Sequence, residues 1–227
     1  MLIQLRHSVF IFFALFASVS KADSLPYYDS AEFTPKWLDA DDPAIDDLHR
    51  IAPFTLTDQR GHVVSSETTD GRIYVASFFF SSCPGICPTL RSKLSRVQEE
   101  FLSDDRVKIL SHSIRPTSDT VEVLNQYAAS NRVTSPNWHL LTGSQDAIYQ
   151  LAKGSYFASE DFGEASSLDE FLHTENLLLI DQHRRIRGVY NGLSDASVSY
   201  LLKDIAELLD TEATPMTTST SAAQPCH

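Results

Sequence analysis

Two periods of apolar residues alternate along this chain. The run at 73–80, Ile-Tyr-Val-Ala-Ser-Phe-Phe-Phe, is apolar almost throughout and reads as a buried strand. Just beyond it the period changes, and Leu90, Leu94, Val97 and Phe101 share one face of a helix expected over 88–102. Strand-like runs return at 107–113, 137–141, 177–181 and 186–190. Helical patterns fall at 118–130, with Val121, Leu124 and Ala128 inward, and at 144–153, with Ile148 and Leu151 inward. A last one spans 194–209, burying Val198, Leu201, Leu202, Ile205 and Leu208. Residues 54–66 predict an N-terminal hairpin turning at Asp58-Gln59-Arg60-Gly61, and 177–190 a second turning at Gln182-His183-Arg184-Arg185. Alternating strands and helices closed by a hairpin and a helix predict an α/β domain, its central mixed sheet covered on both faces.

The flanks follow other rules. Residues 1–22 carry Arg6 and His7, an apolar stretch over 9–19 and small residues at Ser20-Lys21-Ala22. That is a secretory signal pattern, short of the about 20 residues a membrane span needs. The expected location is the periplasm, with an uncleaved N-terminal anchor as the alternative. Residues 23–49, with Pro26, Pro35 and Pro43, read as an irregular leader, and the polar, acidic 154–172 as an exposed insertion. From Thr211 the Thr-, Ser-, Ala- and Pro-rich composition predicts a disordered tail, 211–227.

Net charge is −12 over 227 residues, and the signal segment holds basic residues but no acidic ones. The exported part is therefore more acidic still, which repels phosphate backbones and argues against a nucleic-acid partner. The cluster Asp39, Asp41, Asp42, Asp46 and Asp47 lacks the glycine and distal glutamate of a calcium loop, and reads as solvated. Three cysteines are too few for a disulfide scaffold in a chain this long. Cys83 and Cys87 pair by proximity and leave Cys226 over.

The chemistry concentrates at Ser81-Ser82-Cys83-Pro84-Gly85-Ile86-Cys87-Pro88, between the first long strand and its helix. Exposed amides and the helix dipole at such a junction favour thiolate, the form that attacks disulfides or binds metal. A dithiol at the end of the first long strand makes a thioredoxin-like architecture the leading expectation. Thioredoxin-type enzymes normally separate their cysteines by two residues, whereas here there are three. They also carry a proline before the strand that faces the cysteines. No proline occurs here between Pro136 and Pro215, and His173-Thr174-Glu175-Asn176 stands at that point. An imidazole is thus expected across from two thiols, a soft ligand set suited to copper, whereas zinc normally wants a fourth ligand.

These residues match a family pattern. The chain resembles the Sco/SenC proteins, exported thioredoxin-fold copper chaperones that help assemble the binuclear copper site of cytochrome c oxidase. Cys83-Pro84-Gly85-Ile86-Cys87-Pro88 fits their Cys-Pro-x-x-Cys-Pro signature, and His173 lies 86 residues beyond Cys87, the spacing of the family's ligand histidine. Phe54-Thr55-Leu56-Thr57-Asp58, Asp119-Thr120, and Trp138 with Leu141-Thr142-Gly143 extend the likeness over about residues 50–210. The resemblance implies a copper ion held by Cys83, Cys87 and His173, delivered to the copper site of oxidase subunit II without catalytic turnover. A thioredoxin-like reductant and another copper donor would be further partners. The alternative is a thiol–disulfide oxidoreductase that keeps the cysteines of that target site reduced, using Cys83 and Cys87 with no need of His173.

One departure stands out. The family's Asp-Pro after the third strand is here Arg115-Pro116, a cation for a carboxylate, which bears on partner choice and favours thiolate. His49, His62, His139 and His183, on loops or strand faces, read as surface or hydrogen-bonded residues. His112, alternating with apolar neighbours on the third strand, reads the same way. Met216, Cys226 and His227 are read either as a second, mobile copper site or as part of a featureless tail.

Overall fold

Seven strands form one sheet in the computed structural model, which describes residues 25–158 and 175–212. The signal segment, most of the insertion with His173, and the tail with Met216, Cys226 and His227 lie outside the described residues. The strands are β1 (Thr55–Asp58), β2 (Val63–Ser65), β3 (Ile73–Phe79), β4 (Val107–Ser113), β5 (Trp138–Thr142), β6 (Asn176–Ile180) and β7 (Ile186–Asn191). The helices are α1 (Ser66–Thr69), α2 (Cys87–Glu100), α3 (Val121–Ser130), α4 (Gln145–Gly154) and α5 (Asp195–Glu212). Their spatial order is β2-β1-β5-β4-β3-β6-β7, with β3, β4 and β5 parallel and the remaining pairs antiparallel. This is the mixed α/β sheet expected from the sequence, with its thioredoxin-like arrangement.

Connectivity decides which helix covers which face. The steps β3-α2-β4 and β4-α3-β5 move the same way across the sheet, so right-handed crossovers put α2 and α3 on one face. Ile73, Val75 and Phe79 of β3 pack there with Leu90, Leu94 and Val97 of α2, Leu124 of α3, and Val198, Leu201 and Ile205 of α5. The chain then returns from β5 to β6, and α4 lies on the opposite face. There Tyr74, Ala76 and Phe78 meet Ile148, Leu151 and Ala152 of α4 and the fully buried Tyr156. Every residue of β3 is buried, which is why its sequence reads as a continuous apolar run and not an alternating one.

Residues 25–51 are more ordered than a leader without period suggests. A 3-10 turn, Pro43–Asp47, starts from Asp42, whose carboxylate accepts from Ala44 N–H at 2.8 Å. Tyr28 bridges to Ile186 on the outer edge of β7. The buried Arg187 donates to the carbonyls of Leu25 and Pro26, pairs with Asp181 at 3.4 Å and stacks 3.9 Å over Tyr27. Backbone and arginine contacts of this kind leave no hydrophobic period in the sequence. Two smaller differences concern boundaries. Helix α3 begins three residues late, because Ser118 and Asp119 donate to the Arg115 carbonyl as a turn and Thr120 caps the helix. Within the stretch 154–172 read as an exposed insertion, Gly154 still belongs to α4, and Ser155 and Tyr156 are both buried. No helix among the described residues is long and apolar enough to cross a membrane.

Candidate metal centre

The dithiol lies where β3 ends and α2 begins, at the end of the sheet to which the parallel strands run. Cys87 is the first residue of α2, followed by Pro88, whose missing N–H costs nothing at that position. Ile86 is the N-cap residue, yet its side chain makes no capping bond. The amides of Gly85, Ile86 and Cys87 instead favour negative charge on the Cys83 sulfur. A methyl group on Gly85 would stand 3.9 Å from that sulfur, so the loop backbone runs directly beside it.

The two thiols are shifted in opposite directions. Partial burial pushes Cys83 up, but the Cys87 thiol and the amides of Cys87, Gly85 and Ile86 outweigh it, and its pKa ends below the usual cysteine value. Cys87 is buried, and desolvation together with the hydrogen bond it gives to Cys83 pushes it up to about 12. Cys83, half-exposed, is therefore the thiol that ionises first, while Cys87 keeps its proton to higher pH. Behind Cys87 lies a small cavity of about 20 Å³, lined by Ser77, Leu90, Arg91, Tyr127 and Trp138 among others. That is room for about one water.

Arg115 lies on the same rim, its guanidinium 4.2 Å over the Phe80 ring. The main stabilisation of the Cys83 thiolate comes from the neighbouring thiol and the loop amides. The five described histidines belong to other surroundings than the dithiol. His112 is fully buried in the opposite face, stacked on Phe78 at 5.2 Å with Nδ1 3.3 Å from the Ser77 carbonyl. His139 bonds Asp58 at 3.1 Å, His49 donates to the Ser155 carbonyl, and the exposed His62 is 4.0 Å from Asp58. His183 sits in the β6–β7 turn. Among the described residues no three metal-ligating side chains gather, so the described site is the pair of sulfurs.

Sequence reasoning set the segment before β6 opposite that pair but missed what fixes it there. Because β6 runs antiparallel to β3, it starts at the edge where β3 ends. Its root is fixed by Gly192, whose N–H donates to the Glu175 carbonyl at 2.8 Å, and by Asn191 Nδ2, which donates to Glu175 Oε1 at 2.8 Å. A Cβ on Gly192 would fall 2.4 Å from Leu90 Cδ2 and 2.9 Å from the Glu175 oxygen. Glu175 and the first turns of α2, three residues beyond Cys87, are thus in close approach around a residue with no side chain. A lone glycine in a turn has many explanations, so nothing in the sequence singles out this one.

The family model described as SCO1/SenC matches residues 43–210. The chain is 28% identical over 159 residues to the SCO1 protein homolog of Bacillus subtilis, covering 69% of this chain and 81% of that protein. The structure of BsSco, described as a member of the Sco family of cytochrome c oxidase assembly proteins with a disulfide switch, superposes with a TM-score of 0.60 at 27% identity. It covers 70% of this chain and 93% of its own. ScoI of Bradyrhizobium japonicum, solved with copper bound, shares the fold with a TM-score of 0.54 at 24% identity, covering 69% of this chain and 98% of its own.

Proposed function

Since the chain belongs to the SCO1/SenC family, we propose that it is an exported copper chaperone acting in cytochrome c oxidase assembly. In this reading Cys83, Cys87 and His173 hold one copper ion and pass it to the binuclear site of oxidase subunit II. The observation that carries the reading is the close approach of Glu175 to the start of α2 around Gly192. A single residue, Thr174, separates His173 from Glu175, so their backbones lie at most about 7 Å apart. A soft imidazole rooted there and two sulfurs make a ligand set that favours copper. Copper is the cargo. The cysteines bind it only when reduced and lose their protons as they do so, so loading follows the redox state of the same residues. Transfer then proceeds by ligand exchange with an apo-site. The signal-like residues 1–22 support export to the periplasm.

A second reading is favoured by the opposed thiol shifts. The Cys83 thiolate attacks a target disulfide, forms a mixed disulfide and releases one target thiolate. Cys87 gives up its proton and displaces the second, leaving a Cys83–Cys87 disulfide that a thioredoxin-like dithiol must reduce. Copper titration of the reduced protein, run beside a disulfide-reduction assay, separates the two. The chaperone reading expects tight copper binding that Cys83→Ser, Cys87→Ser abolishes and His173→Ala weakens with reductase activity intact. Unchanged affinity in the double-serine variant, or lost reductase activity with full affinity in His173→Ala, rejects it.

A further inference from the structure

The connection after β4 grips the run into Cys83 at three successive residues. Ile114 N–H donates to the Phe79 carbonyl at 2.9 Å, Arg115 covers the Phe80 ring, and the Asp119 carboxylate accepts from the Ser81 amide at 3.0 Å. The Ser81 hydroxyl donates to the other Asp119 oxygen, and the Ser113 hydroxyl to the first. Asp119 is only 1% exposed. A buried carboxylate needs donors, and it meets three here, at the residue just before the Thr120 cap of α3. An amide in its place would turn an NH₂ group toward one of those donors.

Ser81 is two residues before Cys83, and the Cys83 amide returns to the Phe80 carbonyl at 3.2 Å. Fixing Ser81 therefore fixes the tight turn that brings the Cys83 sulfur under the amides of Gly85, Ile86 and Cys87. We propose that Asp119 is a positioning residue of the dithiol: through Ser81 it holds the Cys83 sulfur against the start of α2, and this preorganisation gives the site its grip on copper. The inference rests on the copper reading for its affinity arm, while the presentation of Cys83 can be followed without metal.

The test compares wild type with Asp119→Asn, Ser81→Ala, Ser81→Thr and the far-face control Ile148→Val. Readouts are copper affinity, the sulfur-to-copper charge-transfer band, and the rate of exchange of the reduced dithiol with a small aromatic disulfide. Asp119→Asn and Ser81→Ala should each lower copper affinity about tenfold, as loss of an outer-shell partner does. They should also shift the band and slow exchange several-fold. Ser81→Thr, which keeps the hydroxyl, should restore all three, and Ile148→Val should move none. Wild-type affinity, band and exchange rate in Ser81→Ala would overturn the proposal even if Asp119→Asn fails to fold. So would an equal loss in Ile148→Val. If wild type itself binds no copper, the copper reading falls and the exchange arm alone decides the role of Asp119.

Discussion

Replacing Gly192 by alanine tests the packing argument at its tightest point. The added methyl would lie 2.4 Å from Leu90 Cδ2, 2.9 Å from the Glu175 carbonyl oxygen and 3.0 Å from Leu177 Cγ. Ordinary contacts between carbons are about 3.5–4.0 Å, so the turn between β7 and α5 must back away. The Leu90 tip can rotate, but the Glu175 oxygen is backbone, tied to Gly192 at 2.8 Å, with Asn191 holding the same residue by its side chain. Overpacking of this kind costs about 1–3 kcal/mol. For a domain of this size about 2 kcal/mol lowers Tm by roughly 4–8 °C. The same displacement moves the root of β6 away from α2, so copper affinity should fall while the dithiol still exchanges with small disulfides. Gly154→Ala is the matched control, because nothing lies within 4 Å of its added Cβ. Calorimetry and copper titration on both variants check the reasoning. An unchanged Tm in Gly192→Ala, or a loss as large in Gly154→Ala, would refute it.

Two further outcomes follow from titrating groups. In the reduced protein near neutral pH, iodoacetamide should label Cys83 well before Cys87, because the first thiol is lowered and the second is pushed up to about 12; peptide mapping with Cys87 labelled first would reverse the assignment. His112 is fully buried and its pKa is lowered to about 4 from 6.5. The unfolded chain thus binds the extra proton first, so stability is intact above pH 6.5 and declines as pH falls from 6.5 toward 4, by about 3 kcal/mol at most. Denaturant midpoints across that range should slope less in His112→Phe than in wild type, and identical slopes would show that another group governs the acid limb.

Local pattern made the skeleton legible. The period changes at 73–80 and 88–102 announce a strand and a helix, and with them the junction that bears Cys83 and Cys87, because side-chain periodicity is a property of neighbours in sequence. The spacing to His173 and the flanking segments pointed to the family on the same terms. Contacts between distant residues carried no such mark. Arg187 reaches Leu25 from 162 residues away in sequence, Asp119 holds Ser81 from 38 residues away, and Gly192 admits Leu90 only because it has no side chain. The opposite shifts of two thiols four residues apart belong here too, since burial beneath the sheet end and the direction of three amides decide them. Sequence by itself determined the elements and the place of the dithiol at the strand-to-helix junction. Only tertiary structure decided which sulfur ionises first, what holds it, and which contacts fix the root of β6, because desolvation and hydrogen-bond direction exist only once distant segments have packed.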